Sequence, residues 1–313
     1  MATKRIIGKF FSYLVVFLIF FFLGKTLFGN WQKLREYEFS FNYFYLIVSF
    51  LFLIFALFLS GVIWKIILEK LEPKVKISYP KAVKIVIFSS FGKYIPGTVW
   101  QYLGRIQLAS REGLEKKLVA VSLIYEIILS IVSAFLFSLV ILSFSSGMFF
   151  SFFYNKLIIT VAFLIILSGF FLIHPKISYF LFNFILKKFN KEEIPAFKFL
   201  TYKRILMIIF CYFIFFFLSG IGFSFLVKSL VSFPVYGMMW LTGAFILASI
   251  LGMIVVFAPS GLGVREGVLV LFLQFYFPLS VAVVISLAAR LWATLGEIIT
   301  LGFIYSYCKF KKL

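Results

Sequence analysis

The sequence predicts an all-α, polytopic integral membrane protein with about eight transmembrane helices, in one domain over residues 1–313. Three observations lead to this fold class: 63% of the residues are hydrophobic, 13% are charged, and the mean hydropathy is +1.11. A soluble domain carries about 25% charged residues, and a helix needs about 20 apolar residues to cross a bilayer. The apolar runs occupy nearly the whole chain and leave no polar stretch long enough for a second domain.

Seven apolar runs are long enough to span a membrane. They are 10–28, 43–68, 118–142, 156–173, 203–227, 235–257 and 280–306. The first run follows the basic residues Lys4, Arg5 and Lys9 and lacks a small-residue cleavage site, so we interpret it as a retained signal anchor.

Two further segments are too short or too broken to be ordinary spans. The run 82–104 is interrupted at Pro96-Gly97, and the short run 264–277 follows a Pro-Ser-Gly-Leu-Gly segment that begins at Pro259. A broken helix persists in hydrocarbon only where its backbone is packed in protein or lines a polar cavity. Such breaks in both halves of a chain indicate a transporter binding site. We therefore expect re-entrant or broken helices at 82–104 and 258–277, and a polar site inside the membrane.

Loop charge predicts the orientation. Basic clusters lie before residue 10 and at 65–84, 105–117, 176–204 and 309–312. Cytoplasmic loops are rich in Lys and Arg, so we place these clusters and both termini on the cytoplasmic side of the cytoplasmic (inner) membrane. Segment 82–104 must then enter and leave on one side, and 264–277 must cross as a tilted or half-depth helix. Segment 176–204 is predicted to be an amphipathic helix on the membrane surface.

Six charged residues are predicted at or beside membrane depth, where each costs at least about 2.5 kcal/mol. They are Arg105, Glu126, Arg265, Glu266, Arg290 and Glu297. We hypothesise that the three arginines face a cavity and hold an anionic group, with phosphate as the leading candidate, because a planar guanidinium suits phosphate oxygens. A half-helix that begins after a break adds N–H donors. The glutamates would balance the arginines or carry a proton; alternatively, all six form structural ion pairs that lock helices together.

The breaks contribute further candidates for binding. Trp100 and Gln101 follow the first break and could stack on or hydrogen-bond a headgroup, although Trp100 is equally typical of an interfacial anchor. The predicted substrate-binding residues are Lys93, Pro96, Gly97, Trp100, Gln101, Arg105, Glu126, Pro259, Gly261, Gly263, Arg265, Glu266, Arg290 and Glu297.

The residues give little support to catalysis, cofactors or nucleic acid. His174 is the only histidine, and Cys211 and Cys308 have no partner at CxxC spacing, so we expect no metal or other cofactor. The formal charge of +20 is distributed among loops rather than over one continuous basic face, which argues against nucleic-acid binding.

The motifs at Gly92–Gln101, Tyr125–Glu126 and Pro259–Gly267 resemble the flippase-like family named for the transmembrane region of lysylphosphatidylglycerol synthases. The resemblance covers roughly residues 5 to 306. It implies an eight-span domain that moves a lipid, or a lipid-linked headgroup, between leaflets.

Three features depart from that family's pattern. Ser260 replaces the first glycine of a Pro-Gly-Gly motif, and Ile127 stands where a basic residue often follows the glutamate, which would weaken an ion-pair role for Glu126. The full synthases also append a soluble aminoacyltransferase domain. The sequence given ends just after its last span, so we do not expect it to be the synthase itself.

Three functions remain open at this point. The first is a translocator of an anionic phospholipid or a polyprenyl-phosphate-linked substrate. The second is a non-transporting accessory protein that delivers a lipid-linked sugar to a separate glycosyltransferase or lipid-modifying enzyme. The third is a membrane transferase, for which Glu126 and Glu266 are the candidate bases. The first two share every residue named above.

Overall fold

The computed structural model describes residues 39–95, 99–144, 200–255 and 259–311, together with Lys25, Gly29 and Tyr37. Several sequence predictions lie outside these ranges. They are the span 156–173, almost all of the span 10–28, most of the surface helix 176–204, and the residues Pro96, Gly97 and His174.

The described residues form eight α-helices and no strand, in agreement with the predicted all-α class. The helices are α1 (Tyr43–Leu71), α2 (Tyr79–Ser90), α3 (Trp100–Arg111), α4 (Lys116–Ser143), α5 (Tyr202–Leu230), α6 (Met238–Ile254), α7 (Val264–Leu273) and α8 (Leu279–Phe310). Three short 3-10 turns occur at Phe91–Tyr94, Val235–Gly237 and Pro259–Gly261.

Five of these helices are long and apolar enough to cross a membrane: α1, α4, α5, α8, and α6 together with the turn before it. They coincide with the five predicted spans that the structure describes. Helix α1 has 29 residues and therefore extends about 44 Å, which exceeds the roughly 30 Å of a hydrocarbon core. The chain is a multi-pass membrane protein.

Local chemistry determines where the helices begin. The Asn42 side chain accepts hydrogen bonds from the backbone N–H groups of Phe44 and Tyr45, at 3.0 and 3.3 Å, and so caps α1. Pro80 lies in the first turn of α2, where its missing N–H leaves no helical bond unmade. Helix α7 begins after Gly263, whose φ of 85° favours glycine.

Helices α2 and α3 form a first hairpin that folds back on itself. Near the bend, Arg105 Nε donates to Ser89 Oγ at 3.1 Å, and at the open end Lys81 and Glu112 form an ion pair at 2.7 Å. A Cβ on Gly92 would lie 2.5 Å from the backbone nitrogen of Gln101, so the two arms meet closely only because residue 92 is glycine. The chain leaves this hairpin at the end where it entered, as predicted.

Helices α6 and α7 form a second hairpin. Near its open end Trp240 Nε1 donates to the carbonyl of Phe272 at 3.2 Å, and near its bend a Cβ on Gly252 would lie 2.9 Å from that of Arg265. Helix α7 therefore runs antiparallel to α6 and returns toward the end where α6 begins. With 10 residues it is about 15 Å long, half the thickness of a hydrocarbon core.

Positive charge concentrates at one end of the helix bundle, which we call the basic end. Helices α1, α3 and α8 end there and α2, α4 and α5 begin there, as shown by the bond from Arg204 to the carbonyl of Lys70 and by the ring of Tyr305 beneath Lys84. The cations at this end are Lys65, Lys70, Lys74, Lys76, Lys81, Lys84, Arg111, Lys116, Lys117, Lys203, Arg204, Lys309 and Lys311. Its placement on the cytoplasmic side stays a prediction.

The two hairpins open at opposite ends of the bundle. The first opens at the basic end, where Lys81 meets Glu112. The second opens at the other end, where Phe233 before α6 packs on Phe277 after α7 with ring centroids 5.4 Å apart. Their bends therefore point toward each other inside the bundle.

Helices α1–α4 and α5–α8 form two units with the same order of elements in opposite orientations. Each unit has a 29-residue helix, a hairpin of two shorter helices and a final long helix. The first helices run antiparallel, since Tyr45 near the start of α1 stacks on Phe225 near the end of α5, with ring centroids 6.0 Å apart. Inverted repeats of this kind place transporter sites at their interface.

Residue spacing confirms that the two units correspond. The sequence Phe-Leu-Ser-Gly occurs in α1, ending at Gly61, and again in α5, ending at Gly220. A Cβ on Gly61 would meet Val83 of α2, and one on Gly220 would meet Thr242 of α6, each at 2.5 Å. Both equivalences correspond to a shift of 159 residues.

Candidate functional site

A cavity of about 570 Å³ lies between the bends of the two hairpins and against α4. Its polar wall consists of Ser90, Lys93, Gln101, Tyr102, Ser249, Ser260 and Arg265. Its apolar wall consists of Val99, Ile127, Ile131, Met253, Ile254 and Val255. The lining is thus amphipathic, because it contains two cations together with several apolar side chains.

The depth of the two bends in the bundle can be measured along α8. Arg290 and Glu297, which contact the second and first bend respectively, lie about 17 and 27 Å from the start of α8 at Leu279. Both bends therefore lie well inside a helix about 48 Å long. The cavity between them is at membrane depth rather than at either end.

The apolar wall continues onto the outer surface of the described bundle. Val99 is 50% exposed, Ile254 is 41% exposed and Met253 is 39% exposed. A ligand with a charged group at the polar wall could therefore extend an apolar chain along these side chains.

Arg265, in the first turn of α7, lines the cavity without a direct partner among the described residues. It makes no ion pair or hydrogen bond with any of them, and its guanidinium lies 5.0 Å from the ring centroid of Phe245. Its charge interacts at longer range with those of Glu266, Glu297 and Arg290. It is therefore a half-buried cation available to an anion in the cavity.

Lys93 also lines the cavity, but it is paired. Its ammonium donates to Glu297 on α8, whose other carboxylate oxygen accepts from the hydroxyl of Tyr94 at 3.3 Å. The Tyr94 hydroxyl also lies 3.1 Å from the hydroxyl of Thr294. These contacts join the bend of the first hairpin to α8.

Arg105 is held on the opposite side of the first hairpin. Its Nη1 donates to both carboxylate oxygens of Glu126 on α4, at 2.6 and 2.8 Å, and its guanidinium lies 5.7 Å from the ring centroid of Trp64. The expectation that Ile127 would weaken an ion-pair role for Glu126 is wrong, because the partner comes from α3 and not from the next residue.

Glu266 fastens the second hairpin to α8. One carboxylate oxygen accepts the backbone N–H of Gly263 at 2.7 Å, and the other accepts from Arg290. The hydroxyl of Ser286, also on α8, donates to the backbone carbonyl of Glu266 at 3.3 Å. Glu266 is 1% exposed, so this carboxylate is buried, and each of its oxygens has a partner.

The three arginines therefore do not share one cavity, which differs from the sequence-based expectation. Arg265 lines the cavity, whereas Arg105 and Arg290 are each held by a carboxylate of a neighbouring helix. The alternative of structural ion pairs describes these two. The sequence could not show this, because spacing along a helix does not reveal which neighbouring helix supplies the partner.

The remaining predicted residues lie around the two bends. Gln101 and Gly261 line the cavity, and Trp100 at the start of α3 is 52% exposed. Pro259 begins the turn before α7, and Gly263 supplies the N–H that Glu266 accepts.

The backbone of this turn has an unusual conformation. Ser260 has a φ of 53°, and Gly261 and Gly263 have φ of 65° and 85°. Among the described residues, Ser260 alone departs from the preference of non-glycine residues for negative φ.

Sequence reasoning missed Tyr94 and Thr294 and the pairing of Lys93 with Glu297. The signal in α8 was available, because Arg290, Thr294 and Glu297 follow one another at spacings of four and three and so share one helical face. The partner hairpin could not be identified from that spacing. No cluster of three metal-ligating side chains is found within the described ranges.

Comparison with known proteins adds one finding. A family model for the lysylphosphatidylglycerol synthase TM region matches residues 6–299. That range includes both hairpins and every predicted site residue. Among curated proteins, no match was found.

Proposed function

Because this chain belongs to the family of the lysylphosphatidylglycerol synthase transmembrane region, we propose that it translocates an anionic phospholipid or lipid-linked headgroup between the leaflets of the cytoplasmic membrane. The family is defined on the membrane part of a lipid-modifying enzyme, which supports a lipid as the ligand. The proposal assigns movement of that lipid, rather than its chemical modification, to this chain.

One observation carries the proposal: Arg265 faces an amphipathic cavity at membrane depth without a direct carboxylate partner among the described residues. A charge at this depth is costly unless a counter-charge or water compensates it. An anionic headgroup would supply that counter-charge, and the planar guanidinium can donate two parallel hydrogen bonds to a phosphate. The lipid chains would then lie along the exposed apolar wall.

The inverted units are the basis of the proposed route between leaflets. The cavity lies on the α4 side of the two bends, while Lys93 and Tyr94 close the α8 side through Glu297 and Thr294. Helices α4 and α8 occupy equivalent places in the two units. If contacts like those that now close the α8 side formed on the α4 side instead, the cavity would close beside α4 and open beside α8. Rocking of repeat units around a fixed site is how transporters of this architecture alternate access.

The test is a lipid-translocation assay in phosphatidylcholine liposomes that contain fluorescent phosphatidylglycerol or a fluorescent polyprenyl-phosphate analogue. The wild type is expected to move at least one of these lipids, and Arg265→Ala should abolish that movement. Arg111→Ala, which removes an arginine at the basic end of α3, serves as the matched control and should retain it. Both variants are first checked for folding by size-exclusion chromatography and thermal unfolding.

The two ways in which this assay can fail have different meanings. If the wild type binds an anionic lipid but moves none, the accessory function becomes the better conclusion, and a partner glycosyltransferase is then sought by copurification. If the Arg265 variant moves lipid as fast as the wild type, the cavity is not the route and the proposal is wrong.

A further inference from the structure

Among the residues that the structure describes, the charges around the two bends leave one net positive charge. Three ion pairs join the hairpins to the long helices: Lys93 with Glu297, Arg105 with Glu126, and Arg290 with Glu266. The two charges of each pair cancel, so Arg265 is the cation that remains among them. In a medium of low dielectric constant, a bound ligand is most stable when it brings the sum of buried charges to zero.

The three pairs differ in their access to the cavity. Lys93 lines the cavity, with 23% of its side chain exposed, whereas Arg105 and Arg290 do not line it. Glu297, with 9% of its side chain exposed, lies behind Lys93 on α8. Lys93 is therefore the paired cation that an anion in the cavity can reach, and Glu297 is the carboxylate with which that anion must compete.

Lys93 is also the partner that can change its contacts at the lowest cost. A lysine ammonium is a point charge on a flexible stem, whereas an arginine loses a fixed hydrogen-bond geometry when it moves. After release of Lys93, Glu297 still accepts the hydroxyl of Tyr94. The carboxylate therefore keeps one hydrogen bond to the first bend when the ammonium turns toward the ligand.

We propose that Glu297 determines the charge of the headgroup that the cavity accepts. By neutralising Lys93, it leaves the charge of Arg265 for the ligand, so the cavity takes a singly charged phosphodiester in preference to a doubly charged phosphomonoester. This inference rests on the proposed function, because it concerns the same cavity and a lipid ligand. It adds the charge class of that ligand and the residue that selects it.

The preference follows from the sum of charges in each complex. A phosphodiester beside Arg265 brings the sum to zero. A phosphomonoester carries close to two negative charges above its second pKa of about 6, and its second charge is then opposed by Glu297. Replacing Glu297 by glutamine frees Lys93 and removes that repulsion, so the variant should favour the doubly charged phosphomonoester. Interactions between charges at this range inside a protein are strong enough to change a ratio of affinities by at least about tenfold.

The experiment measures affinities for two water-soluble lipids, dihexanoyl phosphatidylglycerol and dihexanoyl phosphatidic acid. The full chain is held in phosphatidylcholine nanodiscs at pH 8, and binding is followed by microscale thermophoresis. The measured quantity is the ratio of the two affinities, which does not depend on the fraction of protein that is folded. The wild type should favour phosphatidylglycerol, and Glu297→Gln should shift the ratio toward phosphatidic acid by about tenfold or more.

Two further variants separate charge selection from a structural effect. Lys93→Gln/Glu297→Gln removes both partners, keeps the net charge of the wild type and should therefore return the ratio to about the wild-type value. Glu112→Gln breaks a similar Lys–Glu pair at the open end of the same hairpin and should leave the ratio unchanged.

The outcomes distinguish this inference from the proposed function. If the wild type binds phosphatidylglycerol but Glu297→Gln leaves the ratio unchanged, or if the wild type favours phosphatidic acid, the inference is overturned and the proposed function stands. If the double variant keeps the shifted ratio, the effect does not arise from net charge and the inference is also overturned. If the wild type binds neither lipid, the inference is overturned, and the proposed function also fails unless the polyprenyl-phosphate analogue moves in the liposome assay.

Discussion

Glu126 and Arg290 occupy equivalent places in the two inverted units and carry opposite charges. The shift between them, 164 residues, is the same as that between Ser122 and Ser286 one turn earlier on the same helices. Each is held by the opposite charge on the second hairpin helix of its own unit, Glu126 by Arg105 and Arg290 by Glu266. The order of the charges is reversed and the pair is retained, so these pairs fasten each hairpin to its long helix.

The first prediction concerns the pair that fastens the second hairpin. Glu266→Gln should lower the free energy of unfolding by about 3 kcal/mol, because it leaves Arg290 without its carboxylate in a largely buried site. The amide oxygen of the glutamine can still accept the N–H of Gly263, so the helix cap is kept. The loss of stability therefore reflects the broken ion pair. Thermal unfolding in detergent measures the effect.

A second variant controls for simple loss of packing. Glu266→Gln/Arg290→Met removes the uncompensated charge and should recover part of the lost stability, since an apolar replacement for a buried ion pair is often close to neutral. A double variant no more stable than Glu266→Gln would contradict the role given to the pair.

The second prediction tests whether the backbone of α6 positions Arg265. A Cβ on Gly252 would lie 2.9 Å from the Cβ of Arg265, so Gly252→Ala should displace this arginine and reduce lipid translocation by at least about tenfold. Gly267→Ala is the matched control, because a Cβ at Gly267 on α7 meets nothing within 4 Å. Equal translocation rates in the two variants would show that the position of Arg265 is not critical.

The third prediction concerns Ser260, whose φ of 53° is unfavourable for a residue with a side chain. Ser260→Gly should raise the free energy of unfolding by up to about 1 kcal/mol, since the relief of strain exceeds the greater entropy that glycine has when unfolded. Ser260→Val should lower it, because a β-branched residue tolerates this conformation least. The measurement compares the melting temperatures of the wild type and the two variants. A higher melting temperature for Ser260→Val than for Ser260→Gly would refute the prediction.

The fourth prediction compares equivalent glycines of the two units. A Cβ on Gly61 would lie 2.5 Å from the backbone Cα of Val83, whereas one on Gly220 would lie 2.5 Å from the side-chain methyl of Thr242. Backbone yields less easily than a side chain, so Gly61→Ala should cost about 1 to 3 kcal/mol and Gly220→Ala less. Gly302→Ala, with nothing within 4 Å of its Cβ, is the control in the same unfolding assay.

Much of the fold could be predicted because hydrocarbon imposes simple requirements on a helix. Long apolar runs with charged flanks define α1, α4, α5 and α8 within a few residues. The interruptions near Pro96 and Pro259 are visible because an unpaired backbone is expensive in the membrane. Its length and the placement of basic loops led us to expect that 264–277 crosses as a tilted or half-depth helix; in the structure α7 is instead the half-depth arm of a hairpin that returns to the end where α6 begins.

The arrangement of the site could not be predicted to the same extent. The sequence identifies Arg105, Arg290 and three glutamates as costly charges and Lys93 as a binding candidate, but packing between helices decides which of them pair. The inverted repeat escaped notice because four shared residues ending at Gly61 and Gly220 are a weak signal among so many Phe and Leu. It became evident from the matching approach of Val83 and Thr242 to those glycines.

The opposed hairpins make the width of the cavity depend on the bilayer itself. Each hairpin is anchored at its own end of the bundle, the first by the exposed pair of Lys81 with Glu112 and the second by the aromatic contact of Phe233 with Phe277. A thinner bilayer would bring these anchors closer and press the two bends together, against the ion pairs that hold both bends on α8. We therefore expect acyl-chain length in the surrounding membrane to change the gap between Lys93 and Arg265 through hydrophobic mismatch rather than through any ligand.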